Sequence, residues 1–314
     1  MWQVLSGVFL GWSLGSNDAA NVFGTAVASR MVRFSTAAAL CSVFVILGAV
    51  LEGEQGIETY RRMSPMLPNE AFIVGLAAAL TVTLMSFWRL PVSTSQAVVG
   101  ALVLIGVLRS SLNIDSLGKI VLCWIGTPIG AALVTIVLYY VVGKAFNRAY
   151  PSLFAYDRGL RWLLIIAGSY GAYALGANNV ANVTGAFVGP DMLTPFQACL
   201  IGSVAIAFGV VTFSKNVMMT VGKEIVQLDA FTAFIAILAE AITVHFYATI
   251  GVPVSTSQAI VGAVLGIGIV KGTQTINMRT LARVGFGWIG TPVIAAGVAF
   301  ALFQIFSIFG LVSK

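Results

Sequence analysis

"PVSTSQAVVGA" occupies residues 91–101, and "PVSTSQAIVGA" occupies residues 253–263, with one Val exchanged for Ile. Each copy sets Ser-Thr-Ser-Gln in apolar sequence. Pro91 interrupts regular helix and biases the residues before it toward extended backbone. Ser93 and Gln96 then stand at capping-box spacing, a hydroxyl at the N-cap and Gln three residues on. The apolar run AVVGALVLIGVL follows. The pattern predicts a helix N-terminus at about Ser93–Gln96, and another at Ser255–Gln258 after Pro253. Such an end presents unbonded N–H groups and partial positive charge, the makings of an anion site. One side chain suffices to cap a helix. A block of four, Ser93, Thr94, Ser95 and Gln96, repeated as Ser255, Thr256, Ser257 and Gln258, is more than capping needs.

The repetition extends further. "GSNDAAN" (15–21) pairs with "GANNVAN" (176–182), and "KIVLCWIGTP" (119–128) with "RVGFGWIGTP" (283–292). Three landmarks in one order, at offsets of 161, 162 and 164, mark an internal duplication. We divide the chain into residues 1–150 and 151–314, joined by a polar, basic stretch at 143–161.

The chain has 314 residues, of which 59% are hydrophobic and 9% charged. A soluble domain carries about 25% charged residues. Runs such as 120–143 are long enough to cross a bilayer as helix. An all-α polytopic membrane protein is expected. The N-terminus lacks the basic start of a signal peptide, the first Lys or Arg being Arg30. Five apolar segments fall in each half: 3–28, 35–51, 71–88, 92–108 and 120–142, then 162–187, 196–213, 230–250, 254–270 and 284–309. An odd number inverts the second half relative to the first. With both termini outside, 12 of the 17 Lys and Arg are cytoplasmic, among them Arg30, Arg33, Arg89, Arg158, Arg161 and Lys271. The segment 52–70, with Glu52, Glu54, Glu58 and Glu70, becomes an acidic outer loop. This bias obeys the positive-inside rule. The segment between Arg89 and Arg109 is short, so a re-entrant hairpin is the alternative. Inverted repeats mark secondary transporters, whose sites lie at helix breaks near the midplane.

Asn17, Asp18 and Asn21 interrupt an apolar segment, and Asn178, Asn179 and Asn182 repeat them. A central Asp costs about 2.5–3.5 kcal/mol on insertion scales, and such residues mark ion pathways. Gly and Asn here favour local unwinding. Amide oxygens, a carboxylate and freed carbonyls are hard ligands that suit Na⁺. The bland reading is helix–helix hydrogen bonding by Asn. No Lys or Arg lies in any of the four motifs, so a buried anion would rely on helix ends and on a cotransported cation. Cys41, Cys123 and Cys199 read as packing residues. With one histidine, His245, no transition-metal site or cofactor is expected, and no catalytic set that would make the chain an enzyme. The net charge of +6 fits basic loops better than nucleic-acid binding.

These motifs resemble those of the inorganic phosphate transporter (PiT) family, which includes the mammalian type III sodium–phosphate cotransporters. The family signature resembles G-A-N-D-V-A-N once per half, here residues 15–21 and 176–182. The P-V-S-T-S-Q-A stretches at 91–97 and 253–259 also match. The resemblance implies phosphate uptake driven by Na⁺ or H⁺, an inverted-repeat fold and a homodimer in the cell membrane. It makes the two Ser-Thr-Ser-Gln blocks phosphate ligands and the Asn/Asp motifs Na⁺ ligands. Asn179 departs from the signature's Asp and weakens the second cation field. Thr25 and Thr184 are lesser candidates. Glu240 is open between proton coupling, cation binding and an interface position. His245 reads as a hydrogen-bonded helix residue, and Trp124 and Trp288 as packing at a Gly/Pro kink. Rival readings are an H⁺-coupled or metal–phosphate carrier, a sulfate permease of the same family, or an ion channel.

Overall fold

The computed structural model describes residues 1–87, 92–149, 153–224, 228–272 and 278–312. Among the described residues eleven α-helices follow in order: α1 (Val4–Ala28), α2 (Phe34–Glu52), α3 (Glu54–Met63), α4 (Pro68–Phe87), α5 (Thr94–Leu108), α6 (Ile114–Ala149), α7 (Leu153–Thr184), α8 (Pro195–Glu224), α9 (Ala230–Thr249), α10 (Thr256–Lys271) and α11 (Met278–Ile308). No strand occurs among the described residues. Helices α2, α4, α6, α8, α9 and α11 are long and apolar enough to cross a membrane. In lipid the backbone must bond to itself, which selects helices. Leu122, Ile125, Ile129, Leu133 and Val137 line one exposed face of α6, the pattern of a lipid-facing helix.

Glycines set the central crossings. A Cβ on Gly15 would stand 1.9 Å from the Ile206 carbonyl oxygen, and one on Gly176 would stand 2.0 Å from that of Val45. Gly209 would likewise meet the Trp12 oxygen at 2.1 Å, and Gly48 the Tyr173 oxygen at 2.0 Å. Adding 161 to 12, 15, 45 and 48 gives 173, 176, 206 and 209. The α1–α8 crossing is therefore repeated by α7–α2. Only a residue without a side chain lets two backbones come this close.

The same contacts give the handedness of the repeat. Along α1, Gly11 meets Ala205 and Gly24 meets Met218, so α8 runs alongside α1 in the same sense. Helices α1 and α2, joined by residues 29–33, run in opposite senses. Helix α8 thus opposes α2, its counterpart. The halves are inverted, as the segment count and charge bias predict.

Helices α5 and α10 have 15 and 16 residues. At 1.5 Å per residue they span about 23 Å, short of a ~30 Å hydrocarbon core. Each begins at a buried N-terminus and folds back on its predecessor as a hairpin. A salt bridge closes each base: Glu70 with Arg109 across α4–α5, and Asp229 with Lys271 across α9–α10. The hairpin alternative thus replaces full spans at 92–108 and 254–270. Pro91 lies outside the described residues, as do Arg89 and Lys314. The repeated WIGTP stretches support the short arms from outside. Gly100 packs on Pro292, and Gly262 on Pro128, where a Cβ would stand 2.3 and 2.2 Å from the proline oxygens. Trp124 packs against the core, as expected of it.

One expectation fails at residues 52–70. The acidic outer loop contains a helix, α3, which turns off α2 at Gly53. Ile57, Tyr60 and Met63 give it one buried face. Together α2 and α3 run from Phe34 to Met63, as many residues as the single helix α8, 30. Ser214 occupies the position of Gly53, and there α8 continues without a break.

Candidate functional site

The two hairpin tips carry the Ser-Thr-Ser-Gln blocks. Ser93 caps α5, accepting from the Gln96 N–H at 3.4 Å, and Ser255 caps α10, accepting from the Gln258 N–H at 3.2 Å. Both helix starts fall where the sequence places them. Only the serine half of the capping box forms. The Gln96 and Gln258 side-chain oxygens are buried without a partner, as is the Thr94 hydroxyl. These groups are left over after capping. Ser95 and Ser257 lie 3.3 and 2.9 Å from the capping hydroxyls. Ser257 donates to the Val92 carbonyl at 3.1 Å and so joins one tip to the other.

The Asn/Asp motifs surround these tips. The Asp18 carboxylate accepts from the Thr256 hydroxyl at 2.9 Å and from the Asn179 amide at 3.5 Å. Asn179 accepts in turn from Asn178 at 3.0 Å and Asn182 at 2.7 Å. Asn178 also grips the second tip twice, donating to the Val254 carbonyl and accepting its N–H, at 2.8 and 2.9 Å. The Tyr60 hydroxyl of α3 donates to Asn182 at 2.5 Å. One chain of hydrogen bonds therefore runs Tyr60, Asn182, Asn179, Asp18, Thr256. It joins both halves and includes a residue, Tyr60, that the sequence reading missed.

Local unwinding at these motifs is not found. Helices α1 and α7 pass through residues 15–21 and 176–182 intact. The glycines serve the crossings with α8 and α2 rather than a break. Backbone carbonyls there are committed to the helix, so the oxygens these motifs offer are those of side chains, Asp18, Asn178, Asn179 and Asn182.

The remaining candidates separate. Asn17 turns to Ser86 of α4, 3.3 Å away, and Asn21 and Thr25 continue its line down α1, all half-buried. The Thr25 hydroxyl is buried without a partner. Their counterparts Asn178, Asn182 and Ala186 are buried. Thr184 ends α7 and donates to the Val180 and Ala198 carbonyls, a packing role. Glu240 of α9 is buried, and one of its oxygens has no partner. Its counterpart in the first half is Ala78. His245 lies apart, bonded to Glu52 at 2.7 Å and Tyr170 at 2.8 Å, as expected of a hydrogen-bonded helix residue. The three cysteines are free thiols. No group of His, Cys, Asp or Glu suited to a metal ion occurs among the described residues.

What the site offers is two buried helix starts with spare polar groups, set beside a carboxylate and three asparagines. The chain is 30% identical over 300 residues to a Methanocaldococcus jannaschii protein named as a phosphate permease, covering 96% of this chain and 95% of that one. It is 28% identical to the sulfate permease CysP of Bacillus subtilis, with 96% and 87% covered. Among solved structures, the sodium-dependent phosphate transporter superposes with a TM-score of 0.85 over 98% of each chain, at 22% identity. The pattern of the phosphate transporter family matches twice, at residues 14–155 and 146–299, once around each pair of motifs. The duplicated motifs and this double match agree: the chain belongs to the phosphate transporter family.

Proposed function

We propose that the protein is a symporter that carries inorganic phosphate with Na⁺ across the cell membrane by alternating access. The observation that carries this reading is the incomplete capping box. Ser93 and Ser255 meet the needs of the helix ends, yet Gln96, Gln258 and Thr94 keep buried polar atoms unpartnered. A buried polar atom without a partner costs about 1–3 kcal/mol, so such groups imply a ligand. The helix starts favour an anion. Asp18, Asn178, Asn179 and Asn182 supply the hard oxygens for Na⁺, and Glu240 adds a carboxylate where Asn179 lacks one. Anion and cation in one dry site stabilise each other, which is the physical basis of coupling.

Exposure along the site supports alternating access. The α7 motif is covered by α3, while the matching line on α1 is half-open. By the charge bias, α3 lies on the outer face and both termini are outside. A homodimer remains part of the proposal. Light scattering of the detergent complex should give twice the chain mass.

The sulfate permease relative favours a second reading, sulfate as cargo. Asp18 and the two Gln oxygens are acceptors, and a protonated phosphate has a hydroxyl to give them; sulfate at neutral pH has none. We expect tenfold excess sulfate to reduce phosphate uptake into proteoliposomes less than twofold. Competition as strong as that of unlabelled phosphate would establish the sulfate reading instead. Gln258→Ala should raise the phosphate KM about tenfold, the loss of one hydrogen bond to a charged ligand. Unchanged kinetics in Gln258→Ala and Gln96→Ala alike would remove both residues from the phosphate site.

A further inference from the structure

Helix α3 lies directly over the half of the site built from α7 and the second hairpin tip. A Cβ on Gly56 would stand 3.0 Å from the Ala181 Cβ and 3.7 Å from the Pro253 ring. Thr59 donates to the Gly251 carbonyl at 2.5 Å, and Tyr60 to Asn182 at the same distance. Gly251 has φ +70°, a left-handed conformation, and packs against Gln55 of α3. Tyr60 is 1% exposed, and its ring is held between α3 and Gly185. The bend that lets α3 reach this place is at Gly53, where a Cβ would stand 2.4 Å from Val180 Cγ1. The other half has neither part. Ser214 replaces Gly53, and it bonds its own helix, donating to the Val210 carbonyl at 2.6 Å. Val221 stands at the sequence position of Tyr60. The lid is thus written into one half only.

We propose that α3 is a hinged lid over the site and that Tyr60 is a positioning residue which latches it and fixes the Asn182 amide. An asparagine amide can turn either end toward a cation. The Tyr60 hydroxyl donates, so it holds the Asn182 oxygen on its own side, and the Asn182 NH₂ then faces the Asn179 oxygen. The lid is closed only while this orientation holds. Opening breaks the Tyr60 bond and frees the amide, so the state of the lid and the state of the site change together. The cation arm of this inference rests on the proposed Na⁺ coupling; the lid itself does not.

The chain carries its own reporter. Cys199 is 2% exposed beneath the bend, 3.2 Å from where a Gly53 Cβ would stand. Cys41, fully buried on α2 away from α3, is an internal reference. The experiment labels the full-length purified protein with a maleimide and reads each cysteine by peptide mass spectrometry. Tyr60→Phe, which keeps the ring and removes only the hydroxyl, should speed labelling of Cys199 about fivefold, the effect of one net hydrogen bond, and leave Cys41 unchanged. Thr59→Val should act in the same direction. Unchanged Cys199 labelling in Tyr60→Phe overturns the latch. Acceleration at both cysteines overturns it too, because it marks general loosening. In proteoliposomes, Tyr60→Phe should raise the Na⁺ concentration for half-maximal uptake about fivefold and leave the phosphate KM within twofold. An equal rise in both constants, or in neither, overturns the positioning role. Should wild-type uptake ignore Na⁺, the coupling reading fails while the labelling result still decides the lid.

Discussion

Asp18→Asn should abolish Na⁺-driven phosphate uptake, lowering it about 100-fold or more, while the protein should fold as well as the wild type. Asp18 is the one carboxylate in the two Asn/Asp motifs, because the second half has Asn179 in its place. It accepts from Thr256 on one side and Asn179 on the other. Removing its charge weakens the cation field and the charge-assisted bond to the hairpin tip. Each such interaction contributes about 1.5–3 kcal/mol, and two together reach the stated factor. The effect on folding has the opposite sign. An Asp in a membrane helix costs about 2.5–3.5 kcal/mol to insert, and Asn costs less. Loss of transport with equal or higher thermal stability therefore distinguishes a ligand from a structural residue. Intact Na⁺ dependence in the variant would remove Asp18 from the site.

The second large effect concerns architecture. Gly15→Val should yield almost no folded transporter on size-exclusion chromatography. Its Cβ would stand 1.9 Å from a backbone oxygen of α8, so two helices must part for it to fit. Overpacking in a core costs about 1–3 kcal/mol when side chains can shift, and more when backbone must move. Gly176→Val should fail in the same way, because it occupies the matching crossing. Gly285→Ala and Gly297→Ala are the controls. Neither meets anything within 4 Å, so both should fold as the wild type does. Normal folding of Gly15→Val would refute the crossing.

Much of this was legible in the sequence. The paired motifs revealed the duplication, and the odd segment count and basic loops revealed its inversion. Proline, serine and glutamine at fixed spacing located the starts of α5 and α10. What escaped were contacts that one-dimensional patterns do not carry. Helix α3 hides among charges, since its apolar residues, Ile57, Tyr60 and Met63, recur only every third position over ten residues. Gly15 and Gly176 were read as helix breakers because permissive backbone and close packing use the same residue. The hairpin bases pair Glu70 with Arg109 and Asp229 with Lys271, 39 and 42 residues apart. Repeat comparison aligns the two basic residues but not the acids, because Asp229 falls opposite Leu67. Tyr60 and Asn182 are 122 positions apart and belong to different halves.

The central claim is that phosphate moves with Na⁺ through this site. Its most direct test is uptake of labelled phosphate into proteoliposomes of the purified protein, under an inward Na⁺ gradient and under an equal K⁺ gradient. The site's hard oxygens and its dependence on a bound cation predict concentrative uptake with Na⁺ and none above background with K⁺. Equal uptake under the two gradients would contradict it.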